Sequence, residues 1–343
     1  MIRPGRQASV TRLPKAWTPC QRRLVALVIA MSAFMITASV DAQQPYPNRP
    51  IRIVVPLGAG GATDMTARLF GQKLAEAFGQ QVVVDNRPGA GGIIGADIAA
   101  KAPPDGYTLL IGSTSHAILP GIHKTPLPYD IVSSFEPVSM VVAYPLVLVA
   151  HPSLPAKSLK ELIVLAKAKP GQINYASQGN GSTVHLNAEL LKSMARINLV
   201  HVPYKGTAPQ ATAILSGEAS AGFNTLSSML PHIKARRVRP LGTTGDKRVS
   251  SLPDLPTIAE AGVPGFETGV WAGMLAPAGT PKSIIAKLHG ELIRALQLAD
   301  VKERLDAIDF QPVGNTPEEF GAFIKQEVVK WAKVVKESGA KVD

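Results

Sequence analysis

With 343 residues and 45% hydrophobic content, the chain can bury two cores, and no segment after residue 42 is long and apolar enough to span a bilayer. Six of the 36 basic residues and one of the 25 acidic residues fall within 1–42, so the formal charge drops from +11 to +6 without that segment. The remaining excess mildly favours anionic partners but is too spread out for a nucleic-acid footprint; the lack of any cysteine after Cys20 excludes disulfides, a thiol nucleophile and a Cys-ligated metal.

The chain opens with Arg3, Arg6, Arg12, Lys15, Arg22 and Arg23, followed by the apolar run LVALVIAMSAFMITASV (24–40). Val40 and Ala42 then occupy the −3 and −1 positions of a cut before Gln43. Residues 1–42 are therefore expected to be a secretory signal peptide cleaved after Ala42, so that the mature protein is exported. An uncleaved anchor is the competing possibility, but the 17-residue run is shorter than the ~20 residues of a comfortable span.

Beyond it, short β-rich runs alternate with helical segments, which predicts an α/β fold with largely parallel sheets. Strands are expected at 51–56, 82–85 and 108–112. A helix over 63–78 aligns Phe70, Leu74 and Phe78. PVSMVVAYPLVLVAHP (137–152) is too long for one ordinary strand and breaks at Pro145, as a strand leaving one lobe for another would. The rhythm then restarts. Ser158 and Glu161 have capping-box spacing before a helix stopped by Pro170-Gly171. Strands are expected at 173–177, 199–204, 219–224 and 238–244, with helices at 185–195 and 208–218. VWAGMLAPAGTP (270–281) is a second apolar extended run and a natural return path, with Trp271 placed to report hinge closure. Helices over 281–297 and from the capping box at 316–320 to about 337 complete the chain. The expected organisation is lobe I, 46–143 plus 271–343, and lobe II, 144–270, joined by two crossing strands with a cleft between. The pattern shows no internal repeat. KARRVR (234–239) reads as a solvated edge.

Glycine-rich corners follow the strands. Gly58, Ala59, Gly60 and Gly61 precede Thr63 and Asp64, at the carboxyl end of a strand, where open α/β sheets place ligands. A dinucleotide fingerprint fails because position 63 is Thr, PGAGGIIG (88–95) is only a loose variant, and no P-loop is present. Bare amides at a helix start attract an anion. Composition leaves a plain tight turn, capped by Thr63 or Asp64, equally open. SQGNGSTVH (177–185), GSTSHA (112–117) and PYKGTAP (203–209) repeat the type of corner, two per lobe, which suits a polar cleft for a small anion. No G-x-S-x-G elbow or tight His/carboxylate cluster supports catalysis or a metal. His116 and His185 lack a nearby acid and read as hydrogen-bonding or structural groups. Lys205 could meet a ligand carboxylate or solvent.

The segments IRIVVPLGAGGATDMTARL, VVVDNRPGAGGIIGADIAAKAPPDGYTLLIGS, YASQGNGSTVHLNAELLK, VPYKGTAP, LPDLPTIAEAGVPGFE and WAGMLAPAGTP resemble, in order over 46–340, the Bug (TctC-like) extracytoplasmic solute receptors of tripartite tricarboxylate transporters. The resemblance implies a periplasmic binding-protein fold, two α/β lobes closing on a small carboxylate, no catalysis, no cofactor and no metal. It implies delivery to membrane permease subunits by a monomer. It carries ligand binding onto Gly58, Ala59, Gly60, Gly61 and Ser113 in lobe I. In lobe II the matching positions are Ser177, Gly181, Ser182, Thr183 and the turn Lys205, Gly206, Thr207. Asp64, His185 and Asn224 complete the candidate site. Asn224 stands where relatives often carry Asp, which leans away from amino acids, and Leu57 stands where relatives often carry an aromatic ring. The alternatives are a sensor for a membrane signalling protein and a secreted hydrolase using Ser113 or Ser182 with a histidine.

Overall fold

Pro145 divides the long apolar run into two strands that belong to different sheets, and this one break organises the molecule. Proline supplies no N–H to a ladder and fixes its own backbone angle. The computed structural model describes residues 46–338, so the proposed signal peptide and Cys20 lie outside the described residues. From Tyr46 onward the chain forms one compact unit.

The elements run β1 (Ile51–Val55), α1 (Ala62–Phe78), β2 (Val82–Asn86), a 3-10 turn (Ala90–Gly92), α2 (Ile93–Ala100), β3 (Thr108–Ser113), α3 (Thr114–Ile122) and β4 (Phe135–Tyr144). Then follow β5 (Leu146–Ala150), α4 (Leu159–Ala168), β6 (Asn174–Ser177), α5 (Thr183–Ala195), β7 (Val200–Pro203), α6 (Thr207–Ser216), β8 (Ala221–Thr225), α7 (Leu226–Lys234) and β9 (Arg239–Thr243). β10 (Val270–Pro277), α8 (Lys282–Gln297), α9 (Ala299–Asp306), β11 (Gln311–Pro312) and α10 (Pro317–Ser338) close the chain. The first sheet has the order β11-β4-β10-β3-β1-β2, and the second β7-β6-β8-β5-β9.

The expectation of largely parallel sheets is corrected. β1 is parallel to β2 and β3, and β6 to β7 and β8. β10 runs antiparallel to β3 and β4, and β5 antiparallel to β8 and β9. The antiparallel strands are β5 and β10, the first strand after each crossing, and the two-residue β11, which pairs antiparallel with β4. The first crossing, Tyr144-Pro145-Leu146, is pinned by Leu146, whose N–H donates to the Thr244 hydroxyl while its carbonyl accepts from Thr244 N. The second passes Thr268 and enters β10 at Val270.

Local sequence explains the supports. β1 buries every residue except the half-buried Arg52, as a parallel strand covered on both faces should. α1 turns Ala67, Phe70 and Leu74 inward and ends at Gly79 in the left-handed region. Thr316 and Glu319 form the reciprocal capping box, at 2.9 and 3.2 Å. At α4 the Ser158 hydroxyl accepts from Glu161 N, but the Glu161 carboxylate reaches Lys157 N, one residue earlier than the standard box. Trp271 is 2% exposed and sits edge-on to Phe320 and Phe323; its indole N–H shares Glu327 with that of Trp331. Its ring therefore belongs to the first-sheet core, beside a second emitter. Among the described residues no helix is long and apolar enough to cross a membrane.

Candidate functional site

Four helices begin at the carboxyl ends of strands and bring the predicted corners together. α1 starts at Gly61, which has no side-chain cap, and α6 starts at Gly206, likewise without one. This corrects the expectation that Thr63 or Asp64 caps α1, since both lie inside the helix. The two starts come from different sheets yet face each other: a Cβ placed on Gly61 would lie 3.8 Å from the Thr207 hydroxyl. Uncapped first turns leave N–H donors and the positive end of the helix dipole unspent. Gly60 (φ +79°) and Gly206 (φ +105°) adopt backbone angles that side chains resist, with open space around each. Gly58, Ala59 and Gly60 are exposed, and Lys205 is exposed beside them on the α6 side.

Some expected ligand groups are spent inside the protein. Asp64 is 3% exposed and accepts from Gly60 N (2.9 Å), Arg68 Nε (3.0 Å) and Asn86 Nδ2 (3.0 Å). Burial raises its pKa, but these donors, Arg68 foremost, outweigh that and leave it below the usual carboxylate range. Asp64 thus braces the loop and occupies the Gly60 amide, where ligand contact was expected of both. Asn224 is fully buried: its amide donates to Gln210 Oε1 and its carbonyl oxygen accepts from Thr225 N and Ser228 Oγ. Its side chain is thus engaged in internal hydrogen bonds at the end of β8.

The second-sheet corner at 177–185 shows the same economy. Ser177 is fully buried; its hydroxyl accepts from Gly179 N (3.1 Å) and lies 2.6 Å from His201 Nε2. Ser182 caps α5: its hydroxyl accepts from His185 N and donates to Gly179 O (2.7 Å). Gly181 N donates to His185 Nδ1 at 3.1 Å. His185 is 4% exposed and supports the loop through this bond. Burial first, then Lys192, pushes its pKa down to about 4. Thr183 is half-buried, and its carbonyl is held by Asn187 Nδ2, whose carbonyl oxygen in turn accepts from the Thr268 hydroxyl.

In the first sheet, Ser113 is 3% exposed and starts α3 in a capping box with His116, whose Nδ1 accepts from Ser113 N at 3.1 Å. Thr114 Oγ1 accepts from Trp271 N on the return strand. Burial pushes His116 down to about 4. Tyr144 at the first crossing stacks on Phe310 at 4.2 Å, and its hydroxyl reaches the Thr63 side chain.

Gln210 was not among the expected residues. It is fully buried and donates to Ala176 O and Phe223 O, tying the ends of β6 and β8 to α6. The available signal was a polar residue sharing a helical face with Ala213 and Ile214. Each histidine beside Ser113 and Ser182 accepts a backbone N–H at Nδ1, and His116 Nδ1 also lies 3.4 Å from the Ser113 hydroxyl. Among the described residues no cluster of three or more His, Cys, Asp or Glu could hold a metal.

Two α/β lobes joined by two crossing strands, with helix starts converging between them, define the periplasmic binding-protein class. The family model described as tripartite tricarboxylate transporter family receptor (TctC) matches residues 66–340. BugT of Bordetella pertussis is 40% identical over 325 residues, covering 93% of this chain and 99% of that protein. Among solved structures, an R. palustris protein with adipate superposes with TM-score 0.82 at 38% identity, over 87% of this chain and all of that one. MatC from Rhodopseudomonas palustris, with bound malate, gives 0.78 at 32% identity, over 84% of this chain and all of that one. The chain belongs to the tripartite tricarboxylate transporter receptor family.

Proposed function

We propose that this protein captures a small carboxylate, with dicarboxylates the first class to test, by closing lobe I (46–143 plus 271–343) and lobe II (144–270) around it. The observation that carries this is the convergence of two uncapped helix starts from different sheets, at Gly61 and Thr207. Amides of 58, 59 and 61–63 from one lobe and the Thr183 and Thr207 hydroxyls with Lys205 from the other supply the donors. Charge-assisted hydrogen bonds are the stronger kind, and closure removes competing water. A ligand touching both lobes shifts the open–closed equilibrium by its extra affinity for the closed form. The R. palustris neighbours solved with adipate and malate support the ligand class. The protein performs no chemistry on the ligand and passes it to membrane permease subunits, after export and cleavage following Ala42.

The test is calorimetric titration of the chain from Gln43, unfolded and refolded once to strip co-purified ligand. Mono-, di- and tricarboxylates, aromatic acids and acidic amino acids form the panel. One class should saturate at one ligand per chain and add about 2.7 kcal/mol of stability at about a hundred times its dissociation constant. A folded sample that binds none of them would overturn the proposal.

A further inference from the structure

We infer that His185 is a positioning residue of the carboxylate site, and that protonation of its Nδ1 releases the ligand by removing the acceptor that fixes Gly181. This rests on the carboxylate reading above and adds its regulation. A neutral imidazole accepts at one nitrogen, whereas an imidazolium donates at both. The Gly181 N–H, 3.1 Å from Nδ1, would then face another donor. Gly181 (φ +75°) immediately precedes Ser182 and Thr183, the start of α5, so its release loosens that helix start.

The surroundings leave a charged ring little support. From β7, His201 stacks on it with centroids 4.0 Å apart and planes 12° from parallel. From β6, Tyr175 lies 6.5 Å away, also stacked. From α5 itself, Glu189 Oε1 is 3.9 Å from Nε2, and that oxygen already accepts from Tyr175 and Lys192. His201 carries the same loop from the other side, since Ser177 Oγ lies against its Nε2 and accepts Gly179 N. The intact corner holds both rings near 4, through burial above all, with Lys192 acting on each. A released corner would return them towards the ordinary value of 6.5. Each pH unit across that window can therefore favour release by up to about tenfold for each ring that gains a proton. Simple attraction between an imidazolium and a bound anion has the opposite sign, so the direction of the pH effect separates the two.

The experiment compares the wild type with His185→Asn, whose Oδ1 takes the place of Nδ1 without titrating. Adipate and malate are titrated calorimetrically at about pH 7.5 and about pH 4.5, with circular dichroism confirming the fold at each. Ligand protonation is common to both proteins and cancels in the ratio. The wild type should lose about tenfold more affinity in acid than the variant. Equal losses, or wild-type affinity that rises relative to the variant, would overturn the inference. A ligand-free NMR titration stands apart from ligand identity and from the folding of the variant. The Gly181 amide should move with the His185 ring, at a midpoint well below 6.5. A His185 midpoint near 6.5 with an unmoved Gly181 amide would overturn the inference by itself. If neither acid binds at about pH 7.5, the carboxylate reading falls for these acids, and this titration alone decides the His185–Gly181 bond.

Discussion

Residues 112–116 and 181–185 share one pattern, Gly-Ser-Thr-x-His, at a strand-to-helix corner in each lobe. In both, serine starts the helix and the histidine Nδ1 accepts a backbone N–H at 3.1 Å. Their surroundings differ. In the first lobe Thr114 and His116 are fully buried, and the Thr114 hydroxyl is committed to Trp271 N. In the second, Ser182 and Thr183 are half-buried, and the histidine holds Gly181, one residue further from the helix. Both corners hold the same crossing. One grips Trp271 directly, and the other reaches Thr268 through Asn187. The same five residues thus act as an anchor where the core covers them and form a half-buried edge where it does not.

Acidification should strain both corners at once. His116, His185 and His201 are each depressed to about 4, so the native state keeps them neutral while the unfolded chain binds more protons below 6.5. Their contribution to stability is complete above about 6.5 and is lost as pH falls through about 4. Urea midpoints should drop across that window. Midpoints unchanged between about pH 6.5 and pH 4 would contradict the buried neutral imidazoles.

Single substitutions then separate the corners. His116→Ala should cost about 2–4 kcal/mol in urea unfolding, because it opens a void and leaves Ser113 N–H unpaired in the core. Thr114→Val keeps the shape but strands Trp271 N, at about 1–3 kcal/mol. Ser182→Ala removes an N-cap and should cost about 1 kcal/mol. Thr183→Val should stay within about 0.5 kcal/mol of the wild type in stability. Its loss is expected in affinity, about 5–10-fold, the worth of one net hydrogen bond. Should Thr114→Val and Thr183→Val shift stability equally and leave affinity alone, the division into anchor and edge would be wrong.

Much of this organisation was legible before any coordinates. Pro145 interrupts an apolar run too long for one strand, and the run does change sheets there. Strand direction was not legible, because composition is the same whichever way a chain enters a sheet, and β5 and β10 enter antiparallel. α3 and α7 escaped notice because each begins directly after a strand and contains a proline, Pro120 or Pro231. The corners could be read from glycine and hydroxyl residues at strand ends. Which amides are already spent could not, since Gly60 and Gly181 give theirs to Asp64 and His185 through loop geometry that spacing does not specify. The recurrence of Gly-Ser-Thr-x-His is likewise too short to register as an internal repeat.

The proposed capture requires one ligand held by both lobes. Backbone amide NMR on adding the carboxylate that binds in calorimetry tests it most directly. The amides of Gly61–Thr63 in lobe I and of Thr183 and Thr207 in lobe II should shift together and saturate at the same ligand concentration. Shifts confined to one lobe, with the other unmoved at saturation, would contradict it.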